Sequence, residues 1–231
     1  MATSLDLEEQ EQLDALKHFW DRWGPWISGV LIVLLLAFAG WNGWQYWQNR
    51  QAGHASALYD ALATAAEAGD TGRVQQSFTD LKTQYGGTTY AAQGALLTAK
   101  TLLDHGKSAE GKTALAWAAD KAGNDGLRAL ARLRLAGVLT DEKSYDAALQ
   151  QLSGGFPRAF DALAADRRGD VLLLQGKKDQ AAVEYGKAYQ GLSGAEANGY
   201  RRVVADKLSA LGIAPDAGAP AATASAQGAA S

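Results

Sequence analysis

The sequence predicts an all-α protein: a single N-terminal transmembrane helix followed by an α-solenoid of helical hairpins. Three observations carry this. Residues Trp23 to Asn49, 27 in a row, contain no charge. From Gly53 to about Gly212 the chain is rich in alanine and shows no sustained period-two alternation of β-branched residues, so strands are not expected. Short turn signals built on Gly, Asp, Lys and Asn recur through that stretch at nearly even intervals.

The uncharged segment comes first. Its centre, ISGVLIVLLLAFAG, is almost purely aliphatic, and about 20 such residues suffice to cross roughly 30 Å of hydrocarbon. Six of the seven tryptophans fall in two triplets at intervals of three: Trp20, Trp23 and Trp26, then Trp41, Trp44 and Trp47. On a helix, Trp23 and Trp44 stand about 31 Å apart along the axis. An indole ring favours the headgroup region because its body is apolar while its N–H needs a wet partner. The triplets therefore read as membrane-interface anchors at the two ends of one span. Pro25 suits the first turn of such a helix, where its missing N–H is not needed. Nine strongly apolar residues between Ile27 and Phe38 sum to about −3 to −5 kcal/mol for insertion.

Four segments follow from this plan: an acidic cytoplasmic tail over 1–22, the anchor over 23–49, an exported repeat domain over 50–212 and a disordered low-complexity tail over 213–231. Lys17 and Arg22 precede the span and Arg50 alone follows it closely, which favours the N-terminus inside. The competing reading is a signal peptide cleaved after Ala39, where AFA offers small residues at the usual spacing. Against it, six acidic residues and only two basic ones precede the apolar core. In the tail, Leu13, Leu16, Trp20 and Trp23 share a helical face, and Asp6 with Glu9 resembles a capping box. That tail is expected to extend the anchor along the interface; docking on a cytoplasmic protein is the alternative.

Beyond the anchor the pattern reads as helices over 54–68, 71–85, 88–105, 108–122, 125–140, 144–153, 158–175, 178–192 and 195–211. Turn signals centred on Gly69, Gly106, Lys143 and Gly176 lie 37, 37 and 33 residues apart. In the last clear unit Gly169 is followed by Gly176, Ala181, Tyr185 and Ala188, at +7, +12, +16 and +19. This is the tetratricopeptide spacing, where small residues let paired helices approach and an aromatic fills the gap. YDAALQQL repeats the second-helix half, whereas Gly111 and Val74 stand where alanine is expected earlier. Stacked hairpins of this kind give a curved, right-handed, tetratricopeptide-like α-solenoid.

The composition and motifs exclude several classes of function. A net charge of −3 without a basic patch argues against nucleic-acid binding. No cysteine is present, and His18, His54 and His105 are isolated, so no cofactor or metal site is expected. No phosphate loop, GxSxG elbow or HExxH occurs, so neither enzymatic activity nor a small-molecule substrate is expected. Asp166, Asp170, Arg134 and Arg167 are the candidate polar residues of the concave groove.

KHFWDRWG in the tail, the span ending GWQYW, and the repeats LRLAGVL and ADRRGDVLLLQGKKDQA together resemble the YfgM family of ancillary SecYEG translocon subunits. The resemblance runs from about Leu7 to Leu211. It implies a cytoplasmic N-terminus and a tetratricopeptide-like periplasmic domain in the bacterial inner membrane. It also implies the SecYEG translocon and a PpiD-type periplasmic chaperone as partners, with exported polypeptides handed on to soluble chaperones. A structural adaptor of another envelope machine, for division or pilus assembly, is the alternative from a different class.

Overall fold

The structure, a computed structural model, describes residues 7–193 and 197–214, with side chains from Arg22 onward apart from those of Pro25 and Ile27. Among the described residues there are nine α-helices and no strand: α1 (Leu7–Glu67), α2 (Thr71–Tyr85), α3 (Thr89–Asp104), α4 (Ser108–Lys121), α5 (Asp125–Asp141), α6 (Tyr145–Ser153), α7 (Arg158–Leu174), α8 (Lys178–Gly191) and α9 (Asn198–Ala210). Helices α2 to α8 end within one residue of the limits read from sequence. The expected capping residue Asp6, residues 194–196 and the tail from Pro215 lie outside the described residues.

One boundary differs. Separate helices were expected on either side of Gly53, but α1 runs through it without a break. No proline or left-handed residue interrupts the chain there. A lone helical glycine costs only about 1 kcal/mol and does not terminate a helix.

By contacts the chain divides between Gln51 and Ala52. In the first unit the Trp26 side chain and those from Val30 to Trp47 are exposed, Trp26 to 75% and Leu34 to 63%. Leaving one large apolar side chain in water forgoes about 1.5–3 kcal/mol of burial. This surface, apolar on every side, belongs in hydrocarbon; the helix is long and apolar enough to cross a bilayer.

In the second unit consecutive helices pack on one another, and the first helices of successive hairpins touch, α3 on α5 and α5 on α7. The end of α1 joins the stack through Ala55 and Leu62, which are fully buried among α2 and α3 side chains. Most buried apolar positions are alanines, so helix backbones approach closely and a small change in volume is felt.

Each hairpin turns in the same way. Gly69, Gly106, Lys143 and Gly176 have φ of 67, 74, 61 and 77°, and Gly212 after α9 has 79°. At each, the N–H two residues past the helix cap donates to the carbonyl five residues earlier: Asp70 to Ala65 at 3.0 Å, Lys107 to Leu102 at 2.8 Å, Ser144 to Leu139 at 2.8 Å, Lys177 to Leu172 at 2.9 Å and Ile213 to Leu208 at 3.1 Å. These bonds satisfy carbonyls that a helix end would otherwise leave bare. The left-handed residue reverses the chain within three residues, which is what a tight helical hairpin requires.

Candidate functional site

Two regions hold the residues singled out from sequence: the exposed apolar helix and the last two hairpins. On the helix, Trp23, Trp26, Trp41, Trp44 and Trp47 are all more than half exposed. The rings of Trp44 and Trp47 lie 5.7 Å apart at 42°, and the Arg50 guanidinium sits 5.7 Å from the Tyr46 ring. This end therefore combines indoles with a cation, the chemistry of a headgroup layer. The Trp20 side chain lies outside those described.

In the last repeat, Gly169 of α7 faces Tyr185 of α8. A Cβ built on Gly169 would lie 2.5 Å from the Tyr185 ring, so only glycine fits. Ala181, Tyr185 and Ala188 are buried to within 1% of full cover, and Gly176 supplies the left-handed turn. Gly111 of α4 stands in an earlier hairpin at the position that Ala181 takes in the last, and a Cβ there would meet the Leu103 side chain at 2.8 Å and the Ala99 carbonyl at 3.3 Å. Glycine there in place of alanine thus reflects a tighter helix contact.

Asp166 and Asp170 do not line an open groove. Helix α9 covers the face of α7 that carries them, and Asp166 is only 1% exposed. The Lys207 ammonium of α9 lies 2.8 and 3.0 Å from the Asp166 carboxylate oxygens and 2.6 Å from Asp170. The Tyr200 hydroxyl donates to Asp166 at 2.5 Å, and the Tyr185 hydroxyl to Asp170 at 2.9 Å. Burial, and then the hydrogen bond to Asp170, pushes the Tyr185 hydroxyl well above the ordinary tyrosine range. Burial, and then Asp166, does the same to Tyr200. The arrangement locks α9 in place. Arg167 and Arg134 remain exposed on the first helices of adjacent hairpins, with Arg167 3.8 Å from Asp170.

Sequence reasoning missed Lys207 and Tyr200. Their spacing of seven, two helical turns, matches the spacing of four between Asp166 and Asp170, since both pairs present one face. It also missed the neighbouring lock at Arg168, which donates to Glu184 of α8 at 2.6 Å and to the Leu152 carbonyl of α6 at 2.9 Å. Burial alone would raise the Glu184 carboxyl, but hydrogen bonds from Lys187 and Arg168 outweigh it and hold it below the usual range. No group of three or more metal-ligating side chains occurs among the described residues.

Residues 17–213 match the family model described as tetratricopeptide repeat-like domain. The chain is also 32% identical to the ancillary SecYEG translocon subunit of Neisseria gonorrhoeae over 185 residues, which are 80% of this chain and 88% of that relative. The chain belongs to the YfgM family. For a YfgM-family member the extent of the match is informative: it begins at Lys17, before the apolar helix, and ends at Ile213, past α9. Span and repeats therefore fall within one family match. No solved structure matches the chain.

Proposed function

We propose that this protein is a non-catalytic, membrane-anchored scaffold of the SecYEG translocon. The N-terminus faces the cytoplasm, and the repeat domain stands in the periplasm. There it binds a PpiD-type chaperone and helps pass exported polypeptides to soluble periplasmic chaperones. One observation carries this reading: a single exposed apolar helix and a stack of tetratricopeptide-like hairpins occur in one chain, aligned over most of their length with a translocon subunit. The apolar helix supplies a fixed place in the membrane. Stacked hairpins supply a broad, pre-formed surface of the kind that holds protein segments.

Photo-crosslinking in intact inner membranes tests it. Crosslinking residues are introduced at Trp41 and Trp44 of the anchor and, separately, at exposed Leu174 of the repeat domain. Adducts with translocon subunits from the anchor positions, and with a PpiD-type chaperone or nascent exported chains from the domain, are expected. Complete absence of such adducts from a membrane-retained, folded protein sinks the proposal.

A further inference from the structure

A cavity of about 390 Å3 opens between the start of α5 and the α6–α7 connection, lined by Asp125, Arg128, Arg132, Gly155, Phe156 and Pro157. Its two arginines lie one turn apart on the same side of α5. Arg132 is built into place. Its Nε donates to the Gln151 carbonyl at 2.9 Å, its Nη1 to the Gly155 carbonyl at 3.3 Å, and its guanidinium centre lies 4.4 Å from the Phe156 ring centroid. A Cβ on Gly154 would fall 2.5 Å from Nη2, so the connection is moulded around this guanidinium. Arg128 donates to Asp125, an exposed neighbour three residues earlier, while its buried Nε has no acceptor among the described residues.

Two guanidiniums at i and i+4 repel each other, and burial, then Arg128, lowers the Arg132 pKa from its ordinary value. Three donors of Arg132 are not taken up by its two backbone acceptors. With Asp125 counted, the cavity carries a net charge of about +1. That balance suits one carboxylate held by an arginine fork, whereas a phosphate dianion would leave the cavity with an uncompensated negative charge. Phe156 and Pro157 offer an apolar wall beside the cations.

We propose that this cavity is a carboxylate-binding pocket, and that its occupant is an acidic side chain of an extended polypeptide whose apolar neighbour rests on Phe156 and Pro157. The carboxylate is read from the cavity itself. The choice of a polypeptide rests on the scaffold function proposed above.

The test uses the full chain in detergent micelles and two fluorescein-labelled peptides, GSEFESG and its neutral counterpart GSQFQSG, followed by anisotropy at low salt. The acidic peptide is expected to bind about tenfold or more tightly than the neutral one, as a charged hydrogen-bonded pair implies. Arg128→Gln should weaken the acidic peptide about tenfold and leave the neutral one unchanged. Asp125→Asn should strengthen the acidic peptide by freeing the Arg128 fork, an effect that a purely structural pair would not give. Equal affinity for the two peptides overturns the pocket, even where the translocon co-purifies with the same preparation. Displacement of the acidic peptide by inorganic phosphate, beyond that caused by potassium chloride of equal ionic strength, also overturns it.

Discussion

Lys207 of α9 bridges two carboxylates of α7, sitting 2.8 Å from Asp166 and 2.6 Å from Asp170. The Asp166 side chain is 2% exposed and that of Lys207 28%. Removing the cation strands a buried charge, which costs about 3 kcal/mol or more. Lys207→Met should therefore lower stability by about that amount. Adding Asp166→Asn should recover part of the loss, because the carboxylate then no longer needs a counter-ion. Urea unfolding of the full chain in detergent, followed by helical circular dichroism, reads both. A loss under about 1 kcal/mol for the single variant contradicts the lock.

The tyrosines in the same cluster give it a pH signature. The hydroxyls of Tyr185 and Tyr200 are raised in the folded state. Their contribution to stability is therefore complete below the ordinary tyrosine value of about 10, and is lost as pH rises beyond it. In an alkaline titration read by tyrosinate absorbance, two of the eight tyrosines should ionise late, together with unfolding. Tyr185→Phe and Tyr200→Phe should each remove one late tyrosine. Ionisation of all eight before any loss of helix would contradict the buried geometry.

Lys143 is the one described non-glycine residue with positive φ, at 61°. It occupies the turn position filled by glycine in the other hairpins. A left-handed L-residue is strained by about 1–2 kcal/mol, and glycine gives back part of that gain as unfolded-chain entropy. Lys143→Gly should thus stabilise the protein by about 1 kcal/mol and raise its Tm by a few degrees. Unchanged or reduced stability is the contrary outcome.

The anchor is tested at its centre and its edge. Leu34 is 63% exposed among aliphatic neighbours. An arginine there adds about 3 kcal/mol against insertion, which cancels most of the roughly −3 to −5 kcal/mol available. Leu34→Arg should release a large part of the protein from carbonate-washed membranes. Trp44→Ala should only loosen it, since it removes one interfacial ring of several. Full retention of Leu34→Arg is incompatible with a spanning helix.

The hairpins were legible because their marks are local. Positive φ at Gly69, Gly106 and Gly176 asks for glycine, and the even spacing made Lys143 recognisable as the same turn in a non-glycine residue. Gly169 and Tyr185 were legible for a related reason, since a close helix pair needs a small residue opposite a large one. The roles of Asp166 and Asp170 were not. Their partner Lys207 lies 41 and 37 residues further along, and which face α9 would cover depends on packing between elements. The same limit hid Arg132, whose acceptors are backbone carbonyls 19 and 23 residues away. A carbonyl leaves no trace in a side-chain pattern.

The packing of each helix on its chain neighbours, with first helices touching only across adjacent hairpins, makes the repeat domain behave like a zipper rather than a ball. Damage at one hairpin is felt by the next and weakens with each further step. Fraying from the α9 end must first release the Lys207 lock, then the α7–α8 pair closed by Tyr185 and Gly169. Inner hairpins can keep their shape while the outer one opens. The end of such a stack can open and close again by undocking and re-docking a single helix.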